Sequence, residues 1–337
     1  MSVIELNSHF INWASAVGQK EFEGPLGRCF DTHDEKDRFG QKTWEEAKGE
    51  MLRLAFNTAL IKADMCFEDV GAIFAGDLLN QCTSSAYGLL GCNIPYFGIY
   101  GACSTSAEGI MLSSILTTHK VYDVCAAATS SHNCSAERQY RTPIEYGGQR
   151  APTAQWTVTG AGAFIIGGGK GDINICRAMP GRVIEKGICD AANMGAAMAP
   201  AVVDTLTRFF KESGSMPEEY DLILTGDLGF EGGDILCELM SIEGYGIEKN
   251  YNDCGRIIYD RKRQDVHSGG SGCGCAASVM SGCILPEMQA GRLKNILFIA
   301  TGAMMSPDSL KQGQPIPAVA HLLNIRTRDE KGEEENA

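Results

Sequence analysis

The sequence predicts an α/β protein built as two pseudo-repeated halves, each a sheet of apolar strands covered by helices. Three observations carry this. "EDVGAIFAGDLL" (68–79) is echoed by "EEYDLILTGDLG" (218–229), so that Asp77 matches Asp227. "GACSTSAEGIMLSSIL" (101–116) is echoed by "GCGCAASVMSGCIL" (272–285), and "VCAAATSS" (124–131) by "LFIATGAM" (297–304). The strands of these segments are apolar throughout, as buried parallel strands are, and they alternate with helical segments.

Each half reads as helix, apolar strand, strand–turn–helix, apolar strand. The leading helices are "EEAKGEMLRLAFNTALIKA" (45–63) and "APAVVDTLTRFFKES" (199–213). Cys103 to Thr129 and Cys275 to Thr301 both span 26 positions, whereas the GDL motifs are offset by 150 and the later elements by 172. The second half therefore carries 22 extra residues (172 − 150) between its GDL strand and its second helix. In the helix after Cys103, Ala107, Ile110, Met111, Ser114 and Ile115 share one face at helical spacing, small and apolar enough to lie between two layers. The expected division is a first half over 1–195, a second over 196–325, and a charged, disordered tail over 326–337.

Composition narrows the function. A net charge of −13 excludes a general nucleic-acid surface, and it means that an anionic ligand needs a local basic pocket. Fourteen cysteines in 337 residues, 44% of them hydrophobic, fit a reducing compartment better than a disulfide framework. "MSVIELNSHFINW" has no basic-then-apolar signal pattern, and no apolar run approaches the ~20 residues that cross a bilayer. "CGC" (273–275) lacks zinc-ligand spacing. "SGGSGCG" (268–274) has neither GxGxxG after a strand nor GK[ST] and reads as close helix–sheet packing. "TGAGAFIIGGGKG" (159–171) is a strand and a turn.

Cys103 stands where an apolar strand turns into a helix, and Gly101 with Ala102 permits a tight turn. The helix macrodipole there is expected to lower a thiol pKa. The same N–H groups, with Ser104 and Thr105, equally suit a carboxylate oxygen, and a third alternative is a small residue filling the helix start. His132 follows the "VCAAA" strand among Asn133, Arg138, Gln139 and Arg141, a plausible anion pocket in an acidic protein. The alternative is a solvated loop in which Arg138 and Arg141 pair with Glu137 and Glu145. Asp77 and Asn80, at the end of the first GDL strand, are expected to line the same cavity.

The two fused halves with a cysteine at the first-half strand–helix turn resemble the thiolase, or condensing-enzyme, superfamily. The resemblance implies a five-layered αβαβα fold and an acyl-accepting cysteine completed by two further residues. Asn252 and Gly255 fit its second-half pattern, but no Gly-His-Pro follows. The family spacing back from Ser271 lands on Val266, one short of His267. The catalytic set is incomplete on that comparison.

Longer motifs narrow the resemblance: "GPLGRCFD" (24–31), "AGDLLNQ" (75–81), "GACSTS" (101–106), "ATSSHN" (128–133), "AERQYRTPIEYGGQ" (136–149), "NMGAAMAPA" (193–201), "LTGDL", "NDCG" and "GGSGC". From about residue 20 to 325 these are similar to the stage V sporulation AD family, the thiolase-fold component of the SpoVA apparatus of spore-forming bacteria. What this implies is non-catalytic binding of dipicolinic acid (pyridine-2,6-dicarboxylate) or its calcium chelate, with no other cofactor. It also implies a peripheral place on the spore inner membrane beside the SpoVA membrane subunits, and a role in uptake into the forespore and in release at germination. A homodimer is compatible. Under this reading Cys103, Ser104 and Thr105 take one carboxylate, and His132, Asn133, Arg138 or Arg141 the other. The alternative function is acyl transfer through Cys103.

Overall fold

The computed structural model describes residues 3–140 and 150–328. Ten strands form one hydrogen-bonded path: β1 (Ile4–Gly18), β2 (Ala72–Asp77), β3 (Tyr96–Gly98), β4 (Val124–Ser131), β5 (Gly160–Gly168), β6 (Ile173–Met179), β7 (Leu222–Thr225), β8 (Tyr251–Asp253), β9 (Asn295–Ala303) and β10 (Ala318–Thr327). Their order is β8-β7-β9-β10-β6-β1-β5-β4-β2-β3, with a short Thr32–Asp34 strand added along β1. The path is two equivalent five-stranded sheets joined edge to edge. β6 takes in the second half the place that β1 takes in the first, and β1 and β6 pair antiparallel at the junction.

The junction of the repeat is thus the turn 169–172, ahead of the expected boundary at 195. β10 runs to Thr327, two residues into the expected tail; residues 329–337 lie outside the described ones. The sheets are mixed, where parallel ones were expected. β2, β3 and β4 run parallel, but β5 runs antiparallel to both β4 and β1, and β10 is antiparallel to β9 and β6. β5 and β6 are both antiparallel to β1 and so run in the same direction on its two sides; the four residues 169–172 carry the chain across β1 without reversing it.

Helix α1 (Trp44–Lys62) starts at a capping box in which Thr43 and Glu46 satisfy each other's backbone N–H. Its Met51, Leu52, Ala55 and Phe56 pack on Ala126 and Ala128 of β4 and Ile165 of β5. Helix α4 (Met194–Ser213), capped by Asn193 and stopped by Gly214 in the left-handed region, packs Val202, Leu206 and Phe209 on Leu297 and Ile299 of β9.

Helices α2 (Thr105–Thr118) and α6 (Cys273–Val279) lie between the sheets. Ala107, Ile110 and Met111 of α2, with Cys275, Ala276 and Val279 of α6, share a core with Ala127, Phe164, Phe298 and Ala300. Alternate residues of β4 and β9 thus serve different cores, as the period of two requires. Helix, sheet, helices, sheet, helix make five layers with three cores. The small, apolar face read from the sequence of α2 is the one buried.

Candidate functional site

The repeat brings the N-termini of α2 and α6 together under the ends of β4 and β9. Ahead of Cys103, Ala102 adopts φ 52°, a left-handed conformation costly for a residue with a Cβ. The second half holds this turn in place: a Cβ on Gly302 of β9 would stand 2.1 Å from the Gly101 carbonyl oxygen. Only glycine lets the strand come so close. A short parallel pairing of Trp156–Thr157 with Gly270–Ser271 places Gln155 and Ser271 opposite Cys103.

These elements enclose a cavity of about 270 Å³. Its floor holds Cys103, Ser271 and Gln155; Tyr100 and Tyr140 stand at its side, and Ala192, Met194 and Met305 form part of the rest. Tyr140 donates to the Leu78 carbonyl (2.8 Å), and the two tyrosine hydroxyls are 3.0 Å apart, so Tyr100 donates to Tyr140. Gln155 Nε2 donates to the carbonyls of Asp227 (2.6 Å) and Gly270 (3.1 Å). Its Oε1 is buried with no hydrogen-bond partner among the described residues. No lysine, arginine or histidine lines the cavity among the described residues; its single charged lining residue is Glu137.

Behind the floor lies Asp227, fully buried. It accepts from Ser271 Oγ (2.9 Å), Gly272 N (2.9 Å) and Thr301 Oγ1 (2.6 Å), and burial raises its pKa. Ser271 Oγ is 3.9 Å from Cys103 Sγ. Burial pushes the Cys103 thiol well above its ordinary pKa, and the Asp227 carboxylate pushes the same way. The macrodipole expectation is therefore overturned. Desolvation and a neighbouring anion outweigh the helix terminus, and the thiol stays protonated at neutral pH.

Of the nine residues nominated from sequence, Cys103 lines the cavity. Ser104 and Thr105 are buried and turn their hydroxyls back to the carbonyls of Gly101 and Ala102 (both 2.7 Å). Asp77 lies under α1, paired with Lys48 Nζ at 2.6 Å and accepting from Leu79 N and Ser85. Asn80 forms a surface clamp with Gln139. His132 is buried against Trp44, with Nε2 2.8 Å from the Asp37 carbonyl oxygen and Nδ1 accepting from Cys134 N. It is thereby fixed as the neutral Nε2–H tautomer, and burial lowers its pKa. Asn133 reaches Thr157 O and Thr159, and Arg138 pairs with Glu45. Arg141 lies outside the described residues.

Sequence reasoning missed Gln155, Tyr100, Tyr140 and the roles of Ser271 and Asp227. The signal for Asp227 was present in the repeat, which offers two GDL aspartates; the first is neutralised by Lys48 and the second faces the site.

Two sheets in five layers, with a cysteine at the central helix terminus, define a thiolase-like fold. Solved structures agree: 3-oxoacyl-[acyl-carrier-protein] synthase III from Aquifex aeolicus is similar at TM-score 0.59 and 14% identity, over 95% of this chain and 99% of that one. An OleA variant from Xanthomonas campestris is similar at TM-score 0.60 and 15% identity, over 95% and 98%. The model of the family Stage V sporulation protein AD (SpoVAD) matches residues 2–326. Stage V sporulation protein AD of Bacillus subtilis (strain 168) is 42% identical over 313 residues, 93% of this chain and 92% of that protein. The chain belongs to the stage V sporulation protein AD family. No helix among the described residues is long and apolar enough to cross a membrane.

Proposed function

We propose that this protein binds dipicolinate without covalent chemistry in the cavity over Cys103, and takes it as the calcium chelate. It would do so as a peripheral subunit of the SpoVA apparatus on the spore inner membrane, in uptake by the forespore and release at germination. The observation that carries the reading is the neutral, aromatic-sided cavity. A free dianion would meet no cation among the described lining residues, and burying it there would carry a large desolvation cost. The chelate has no net charge. Its planar ring suits the space beside Tyr100 and Tyr140, and calcium accepts further oxygen ligands. Gln155 Oε1, buried without a hydrogen-bond partner among the described residues, and Glu137 are two such oxygens in the lining.

The test is calorimetric titration of the full chain with dipicolinate, with and without calcium. Saturable binding that requires calcium supports the reading; tighter binding of the calcium-free dianion contradicts it.

One observation favours acyl transfer instead: the strained Ala102–Cys103 turn in a fold shared with condensing enzymes. Against it stand the protonated thiol and the fact that none of the six histidines of the sequence lines the cavity. A mass shift on Cys103 after incubation with acyl-CoA donors, absent in Cys103→Ala, would establish it.

A further inference from the structure

A second candidate site lies on the seam between the halves, away from the Cys103 cavity. β6 is paired on both sides, and both pairings slip at Cys176. Against β10, Ile175 faces Ile325 and Arg177 faces Asn324, so Cys176 has no residue opposite it. Against β1, Ile175 faces Ser8 and Arg177 faces Glu5, so Leu6 and Asn7 oppose Cys176 alone. A bulge shared by two neighbouring pairings interrupts the ladder and opens the sheet surface.

The result is a groove of about 340 Å³ whose lining includes Ser8, Lys170, Asn174, Cys176, Arg326 and Arg328. Three cations converge here in a chain of net charge −13. Lys170 stands on the β5–β6 turn and Arg326 near the end of β10. Neither makes an ion pair among the described residues, although Arg326 Nε donates to Asn295 Oδ1 at 3.1 Å. Arg177, just beyond the bulge, is paired with Glu5 at 3.0 Å. Arg326 and Asn174 are paired and share one face of the sheet, whereas Ser8, paired with Ile175, lies on the core face.

We propose that this groove binds a phosphate-class oxyanion, held by Lys170, Arg326 and Arg328. Two arginines at the end of β10 and an ammonium from the β5–β6 turn match a tetrahedral anion with several equivalent oxygens better than a single carboxylate. The site is independent of the reading of the Cys103 cavity. The same chemistry is offered by a soluble phosphate and by the phosphate of a lipid headgroup.

The full chain is titrated with inorganic phosphate at constant ionic strength, and floated with phosphatidylglycerol vesicles against phosphatidylcholine ones. The wild type is expected to bind at least one probe saturably, and the probe bound identifies the source. Lys170→Gln, at an exposed turn position, is expected to weaken it by about tenfold. Lys170→Gln with Arg326→Gln is expected to abolish it. Failure of the wild type to bind either probe overturns the proposal. So does binding that survives the double variant unchanged.

Discussion

Asp77 and Asp227 end equivalent strands of the two halves, yet Lys48 Nζ lies 2.6 Å from Asp77, while Asp227 accepts hydrogen bonds from the uncharged Ser271, Gly272 and Thr301. One copy of the motif has become a structural ion pair under α1. The other supports the floor of the cavity and keeps the thiol above it protonated.

The first prediction follows from the buried pair. Lys48 and Asp77 are both fully buried, so Lys48→Ala leaves an uncompensated carboxylate and should cost about 3–5 kcal/mol. Combining Lys48→Met with Asp77→Asn, which removes both charges and keeps an oxygen acceptor for the buried donors of Leu79 and Ser85, should recover part of that loss in a denaturant titration. A Lys48→Ala protein as stable as the wild type would contradict this assignment.

The protonated thiol makes a second. Peptide mapping after iodoacetamide treatment at pH 7 should find the exposed Cys29 and Cys189 alkylated and Cys103 intact. Modification of Cys103 should need alkaline pH, because burial and Asp227 both disfavour the thiolate. Reaction of all three at the same rate would mean an activated nucleophile after all.

Glu21 carries the third. It is fully buried beneath the first half, accepting from Tyr259 of the second half and from Thr159 N, and burial pushes its pKa from 4.5 up to about 7. A folded-state pKa above the unfolded one means stability is full below pH 4.5 and is lost as the pH rises through about 7. Glu21→Gln keeps an acceptor for Tyr259 and cannot ionise. It should flatten that decline and be more stable than wild type at pH 8 by up to about 3 kcal/mol. Asp253, raised to about 7 by burial, leaves a residual slope of the same sign. Identical pH–stability curves for variant and wild type would rule the buried carboxyl out as the cause.

Gly302 gives the fourth. Because its Cβ would meet the Gly101 carbonyl oxygen, Gly302→Ala should push β9 away from the Cys103 turn. The expected cost is about 1–3 kcal/mol of stability together with weakened binding at the cavity. Thermal melting and titration of the same sample separate the two effects.

The architecture was legible because it is written twice. The GDL strands, the Cys103 and Cys275 helices and the 26-residue spacings all map onto equivalent elements of the two sheets. The direction of β5 and β10 was not, since an apolar strand reads the same whichever way it runs. The site was less legible than the fold. The polar cluster around His132 drew the expectation of an anion pocket, but Arg138, Asn133 and His132 spend their hydrogen bonds on Glu45, Thr157 and the Asp37 carbonyl. The cavity is instead assembled from Tyr100, Gln155 and Ser271, which are far apart in the chain. Their meeting depends on the pairing of Trp156–Thr157 with Gly270–Ser271, which no local pattern announces.

Titration calorimetry of the full chain with calcium dipicolinate, run on the wild type and on Ala192→Trp, tests the central claim most directly. Ala192 is a partly exposed lining residue, so the larger side chain fills the cavity without entering a core. The account predicts saturable binding by the wild type, no covalent adduct on Cys103, and loss of binding in Ala192→Trp with an unchanged melting temperature. Undiminished binding by the filled variant would place the ligand elsewhere and contradict it.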